Sequence, residues 1–270
     1  MAYICIYNQQ NMPTSIFDSI VFGPVKSRRL GVSLGVNLLP ADGKICSFNC
    51  IYCECGLNRE RKTHNSFPEL GEVKSALSDK LSQMKSAGEH LDVITFAGNG
   101  EPTLHPRFSE AINMVIELRD RFFPDAKISV LSNATMLHKP EVVAALLKVE
   151  NNIQKLDGAD DETVRLLDAP NSPDFSLAGV VEQLKAFNGK VIIQTIFVKG
   201  EIGGRPFTNS DDAKVEAWLQ LVKEIAPRQV MIYTIDRPVP TVGIEKVSLQ
   251  RLQEIGEKVK AAGFDVSIAG

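Results

Sequence analysis

Cys46-Ser47-Phe48-Asn49-Cys50-Ile51-Tyr52-Cys53 and, further along, Phe96-Ala97-Gly98-Asn99-Gly100-Glu101-Pro102 are the two stretches that decide how this chain folds and where its chemistry lies. The first is a C-x3-C-x2-C spacing directly after the apolar run Val32–Leu39. So short a loop converges three thiolates on one small volume, and thiolates suit Fe–S clusters and zinc. A structural zinc ion is normally closed by four protein ligands, whereas three leave a position open for something else. Cys55 or His64 could supply a fourth ligand, so the loop alone leaves cluster and zinc both open. The second stretch ends the next apolar run, Asp92–Ala97. Its glycines let backbone approach a ligand closely, and Glu101 puts a carboxylate where a cationic group could be held. A tight turn would use the same residues.

Further apolar runs follow at Lys127–Leu131, Asn152–Leu156, Lys190–Val198 and Gln229–Ile235, with Phe264–Ile268 as a seventh strand. Helix-period segments separate them. One carries Val73, Leu77, Leu81 and Met84 on one face, another Val215, Trp218, Leu219, Val222 and Ile225, and a third Leu249, Leu252, Ile255 and Val259. Spacings of three and four residues bury one helical face. Strands alternating with helices predict an α/β fold with parallel pairing and right-handed crossovers, as a barrel or a doubly wound sheet. Phe22–Leu39 reads as a hairpin or edge strand feeding the first parallel strand.

The chain has 270 residues, 44% hydrophobic, and a net charge of −3, which argues against a general polyanion binder. Glycine and proline are near average, so collagen-like and low-complexity readings are out. No apolar run approaches the ~18 residues of a membrane span, and Met1–Asn11 lacks the pattern of a secretory leader. The expectation is a cytoplasmic protein with no membrane partner, organised as one domain over 1–270, with 1–31 as an N-terminal extension or hairpin and 32–270 as the main unit. In a reducing compartment, four cysteines between Cys46 and Cys55 speak for metal or catalysis rather than disulfides.

Taken together, the cysteine loop with Tyr52 before its last cysteine and the G-x-G-E-P turn after the following strand resemble the radical S-adenosylmethionine (radical SAM) superfamily. The resemblance implies a partial (β/α)6 TIM-type barrel and an enzyme of the oxidoreductase, transferase or lyase kind. Cys46, Cys50 and Cys53 would ligate a [4Fe–4S] cluster whose open iron takes the amino and carboxylate groups of S-adenosylmethionine. Tyr52 would lie near the adenine, and Gly98, Gly100 and Glu101 would bind the methionine amino group. The family's glycines are usually adjacent; here Asn99 separates them. Reductive cleavage would give a 5′-deoxyadenosyl radical that takes hydrogen from a substrate, with electrons from a flavodoxin- or ferredoxin-type donor. The substrate would be a small molecule, RNA or a protein. Phe22–Gly31 and Asp236-Arg237-Pro238 resemble, loosely, a branch grouped with wyosine-type tRNA-modifying synthases. A glycyl-radical activase and a non-catalytic Fe–S or zinc module are the alternatives.

Such barrels place their chemistry at the carboxyl ends of the strands. Ser132 and Asn133, in the family's ribose-contacting position, end the third strand; as polar residues they equally suit a helix cap. Lys155 and Asp157 share a face of the fourth strand and either bind cofactor or substrate or pair with each other. Gln194 and Thr195 interrupt an apolar strand, so each needs a hydrogen-bond partner; Gln194 is a candidate contact. Arg237 could clamp an anionic group or pair with Asp236. Lys26, Arg28, Arg29, Arg59, Arg61 and Lys62 form either a basic lip suited to phosphate or solvated surface. Cys5 and Cys55 are too few for a second cluster, and Cys55 reads as a packed thiol. His64 and His105 read as surface or capping residues, Trp218 as core.

Overall fold

Strand alternation dictated by apolar runs between helix-period segments becomes a curled parallel sheet in a computed structural model that describes residues 16–270. Cys5 and the Met1–Asn11 stretch considered above as a leader lie outside the described residues. In chain order the elements are β1 (Val21–Ser27), β2 (Gly31–Val36), α1 (Leu70–Ser86), β3 (Val93–Phe96), α2 (Phe108–Phe122), β4 (Lys127–Ser132), α3 (Pro140–Leu146), β5 (Asn151–Lys155), α4 (Asp161–Leu167), α5 (Leu177–Lys185), β6 (Ile192–Ile196), β7 (Val198–Ile202), β8 (Arg205–Thr208), α6 (Asp212–Ile225), β9 (Gln229–Tyr233), β10 (Ile244–Lys246), α7 (Leu249–Ala261) and β11 (Val266–Ala269). One eight-stranded sheet has the order β1-β2-β3-β4-β5-β6-β9-β11. Every neighbour from β2 to β11 pairs in parallel, and β1 alone is antiparallel, forming the expected hairpin with β2. This is a partial TIM-type barrel, as the resemblance implies.

The helices cover the outside. Val73, Leu77, Leu81 and Met84 of α1 are fully buried, as are Val215 and Val222 of α6, with Trp218 just 2% exposed. In α7, Leu252, Ile255 and Val259 are buried but Leu249 is 54% exposed, because it opens the first turn after the Ser248 cap instead of lying under the helix. Inside the curl, Ile153, Ile192 and Met231 pack together with Leu30 and Leu131.

Of the strand boundaries that differ from the pattern-based reading, two shape the site. β2 stops at Val36 rather than Leu39, because the Asn37 side chain bonds both the N–H and the carbonyl of Leu39 and turns the chain. The run Lys190–Val198 divides at Phe197: β6 stays in the barrel and β7 starts a second, three-stranded sheet of order β10-β7-β8. Apolar content could not reveal that sheet, but Ile202-Gly203-Gly204-Arg205 is a two-residue hairpin turn with both glycines at positive φ, a recognisable signal. Val198 of this sheet shares a buried cluster with Phe48, Cys50 and Tyr52, so the small sheet packs on the side of the cysteine loop.

Candidate functional site

The loop after β2 contains only a short 3-10 turn at Asn58–Glu60, so other bonds must hold it. Its backbone is pinned to the carboxyl ends of several strands. Ile45 N–H donates to Asn99 O (3.0 Å) and the Glu101 N–H donates back to Ile45 O (3.0 Å). Asn49 and Ile51 N–H donate to Asp168 O and Leu167 O, both at 2.9 Å, beyond β5. Asn58 donates to Phe48 O (3.0 Å) and Asn171 to Cys46 O (2.8 Å). Lys44, buried, donates from Nζ to Gly56 O (2.8 Å) and closes the loop on itself.

Gly98 and Gly100 explain this contact more directly than they explain a ligand. Both have positive φ; a Cβ at Gly100 would overlap the Ile45 carbonyl oxygen, and one at Gly98 would overlap the Asn37 amide. Their close approach is to the cysteine loop and its anchor. Asn99, the residue that separates them, is fully buried and bonds Phe17 N–H, Phe17 O and Pro40 O, each at 2.8 Å.

This arrangement encloses a cavity of about 310 Å³ at the carboxyl ends of the strands. Cys46, Cys50, Cys53 and Tyr52 line it from the loop, and Gly98, Gly100 and Glu101 from the turn after β3. Ser132, Asn133, Lys155 and Gln194 line it from β4, β5 and β6. Asp157 is not at the wall; it lies behind Lys155 and Tyr52, accepting from Lys155 Nζ (3.0 Å) and from the Tyr52 hydroxyl. Thr195 points the other way, donating to Leu156 O (2.7 Å) and accepting from Trp218 Nε1 (3.1 Å).

The environment splits the thiols. Burial, then the Glu101 charge, pushes Cys46 up to about 12. Burial and Asp168 raise Cys50, whose Sγ donates to Asp168 Oδ1 at 3.3 Å. Cys53 falls to about 5, because Cys55 hydrogen-bonds its thiolate and the Lys44 ammonium stands beside it. Burial acts to lower Lys44, yet the charges of Cys53, Cys46 and Cys50 hold it above its ordinary value. Asn133 Nδ2 lies 3.7 Å from Cys46 Sγ. Cys55 Sγ also lies 3.3 Å from Gly98 O, the packed-thiol role. Among the described residues, no three His, Cys, Asp or Glu side chains form a cage for a single metal ion.

Glu101 is 3% exposed, and burial raises its pKa against the donors that stabilise its charge. Thr103 N–H (3.1 Å) and Oγ1 (2.5 Å) donate to one oxygen, and Asn133 N–H (2.7 Å) donates to the other, clasping the ends of β3 and β4 together. Under Cys50 lies a second network. The Tyr52 hydroxyl, which gives its one proton to Asp157, also lies 2.7 Å from Asp168 Oδ1, and Lys155 Nζ approaches Tyr52 Oη (2.5 Å) and Asp168 (4.0 Å). Burial and the Asp157 charge push Asp168 up to about 7.

Sequence reasoning missed Asp168, Lys44 and Asn209. Asn209 bonds Asp157 O, Ile196 O and Val198 N–H and so fixes the junction of the two sheets. No spacing marks Asp168; Lys44, two residues before the first cysteine, was the better signal. Of the six charges considered for a basic lip, only Arg28 and Arg29 line the cavity. Arg237 pairs with Glu54 (2.9 Å), not Asp236, which faces Arg28 (3.4 Å). His105 caps, accepting Arg107 N–H at 3.1 Å.

Residues 42–203 match the model of the Radical SAM superfamily, well over half the chain, and the chain therefore belongs to the radical SAM superfamily. A UPF0026 protein of Helicobacter pylori (strain J99) is 32% identical over 232 residues, 85% of this chain and 68% of the relative. Among solved structures, a radical SAM methyltransferase from Sphaerobacter thermophilus shares the fold with TM-score 0.64 at 16% identity, covering 87% of this chain and 65% of that one. Streptococcus suis SuiB bound to S-adenosylmethionine superposes with TM-score 0.60 at 17% identity, over 87% of this chain and 50% of that one. No helix among the described residues is long and apolar enough to cross a membrane.

Proposed function

We propose that this chain is a radical SAM enzyme in which Cys46, Cys50 and Cys53 hold a [4Fe–4S] cluster and S-adenosylmethionine binds in the cavity beside them. The observation that carries this reading is that all three thiols line the same cavity as the β3 turn and the ends of β4, β5 and β6. The donor set fits the group. Three soft ligands line one cavity, Cys55 packs against Gly98 O, and a buried lysine offsets thiolate charge.

Cys46, Cys50 and Cys53 would hold the cluster, and the chemistry it would supply is one-electron reduction of the sulfonium, which would release methionine and a 5′-deoxyadenosyl radical able to take hydrogen from the substrate. The chain's own residues position and shield. Lys44 favours the Cys53 thiolate, the Asn133 amide stands 3.7 Å from Cys46 Sγ, and the Tyr52–Lys155–Asp157–Asp168 network fixes the loop beneath Cys50. Because Thr103 and Asn133 occupy much of Glu101, an amino group would meet its remaining acceptor position or the Gly98–Gly100 backbone. Ser132 and Gln194 remain as cavity-wall contacts. Electrons would come from a flavodoxin- or ferredoxin-type donor, and a single domain working in a reducing, cytoplasm-like compartment suits an oxygen-sensitive cluster.

Protein purified without air should be brown, carry iron and sulfide, and release 5′-deoxyadenosine from S-adenosylmethionine under dithionite. Cys50→Ala should lose both. Zinc in place of iron, or cleavage surviving in Cys50→Ala, would overturn the reading.

A further inference from the structure

The cavity has a second wall, built by the turn between β1 and β2. Leu30 of that turn packs inside the curled sheet against Ile153, Ile192 and Met231, and Arg28 reaches the carbonyl of Gly270 (3.5 Å), just past β11. The turn thus bridges the two edges of the eight-stranded sheet. Four other cations line the cavity, and each is engaged: Arg28 with Asp236, Arg237 with Glu54, Lys155 with Asp157, and Lys44 with Gly56 O.

Arg29 is different. Its guanidinium lies 4.5 Å from the centre of the Tyr233 ring, a stacking that orients the planar fork without using any of its N–H donors. Its Nη1 is buried and has no hydrogen-bond partner among the described residues. Three other buried polar atoms share that condition, on Asn58, Gln154 and Ser267, but none of those residues lines the cavity. An arginine keeps its proton at any physiological pH, so a buried N–H without an acceptor stays costly until an acceptor arrives. A planar cation that lines a cavity and has one donor without an acceptor matches a carboxylate or phosphate that enters beside it.

We propose that Arg29 binds the anionic group of the substrate, at the wall of the cavity formed by β9 and the β1–β2 turn. This rests on reading the cavity as the cofactor and substrate site. The side chains assigned to S-adenosylmethionine come from the cysteine loop and β3 to β6, whereas Arg29 stacks on Tyr233 of β9, beyond β6 in the sheet. The proposal takes the anion to be a molecule separate from that cofactor, and competition between the two tests this.

The full-length protein, purified without air, can be titrated with sodium phosphate and, separately, with succinate at constant ionic strength while Tm is followed. At least one of the two should stabilise saturably, and which one does so tells phosphate from carboxylate. Arg29→Gln should raise the half-saturating concentration at least tenfold, the scale of one charge-assisted hydrogen bond. Arg29→Lys, which keeps the charge and loses the fork, should fall between, and it serves alone if Arg29→Gln does not fold. Lys127→Gln, the same charge change at an exposed position at the start of β4, should bind like the parent protein. Saturating S-adenosylmethionine should leave the anion affinity in place. No saturation with either anion, equal affinity in Arg29→Gln, or competition with S-adenosylmethionine would overturn the proposal. If S-adenosylmethionine is never cleaved while Arg29-dependent binding persists, the enzyme reading fails and the anion site stands.

Discussion

The two walls of the cavity are built on opposite rules. Beneath Cys50, Tyr52, Lys155, Asp157 and Asp168 satisfy one another, with Asp157 and Asp168 no more than 1% exposed. On the hairpin side, Arg29 is stacked, half-buried and left with an open donor. A wall that must hold a loop in one geometry uses its polar groups internally, because any group left over in a low dielectric costs stability. A wall that must receive something has to leave a group over. The difference separates scaffold from reception, and substitutions that unbalance either wall test it.

The largest effect is expected from Lys155→Met. It removes the cation between two buried carboxylates and should destabilise the protein by about 3–5 kcal/mol, the usual loss when one partner of a buried pair is deleted. Urea unfolding measures it. Adding Asp157→Asn to Lys155→Met should recover part of the loss; strictly additive losses would mean that the four residues do not act as a closed network.

Gly100→Ala comes next, at about 2–4 kcal/mol, combining a left-handed backbone with overlap on the Ile45 carbonyl. Gly88→Ala is the control: it has positive φ as well (67°), but no atom within 4 Å of the added Cβ, and should cost only about 1–2 kcal/mol. Similar losses at both sites would show that the turn after β3 does not clamp the cysteine loop.

These contacts mark where sequence reading succeeds and where it stops. Periodicity located every parallel strand and the buried faces of α1 and α6, because apolar spacing is a local property. The cysteine loop and Gly98–Glu101 turn stood out because chemistry demands those residue types close together. Asp168 and Asn209 were invisible for the opposite reason: each acts on residues far away in sequence, across 118 positions in the case of Asp168 and Cys50. The polarity of Lys155 and Asp157 was legible, but their partners Tyr52 and Asp168 depend on how the loop folds back. Likewise the sequence left Arg28 and Arg29 open between a basic lip and solvated surface, and it is the curl of the sheet that brings the hairpin turn to the cavity.

Asn99→Ala is expected to act locally. It deletes two bonds to Phe17 and one to Pro40, which together hold the chain entering β1 against the loop leaving β2. A loss of about 1–3 kcal/mol should follow from the buried partners left open. Hydrogen exchange should show it as lost protection at Phe17 and its neighbours, with β3 and β4 unchanged. Uniform loss across the sheet would mean that Asn99 supports the core rather than the approach to the hairpin.

The smallest effect concerns the other end of that hairpin. Asp92, half-buried, accepts the Val32 N–H (2.7 Å) and faces His90 (2.8 Å), and these bonds, the Val32 one first, lower its pKa. A carboxyl with a depressed folded-state pKa stabilises at pH values above its unfolded value, and that contribution disappears as pH falls through the lowered one. Gly31 lies directly against this carboxylate, so the turn that presents Arg29 is tied down by an acid-labile bond. The scaffold wall owes its order to buried pairs instead. Between pH 6 and pH 3, Tm should therefore fall slightly more steeply in the parent protein than in Asp92→Asn, which has no charge to lose. Parallel curves would show that Asp92 does not distinguish the folded from the unfolded chain, and that β2 holds the hairpin turn without it.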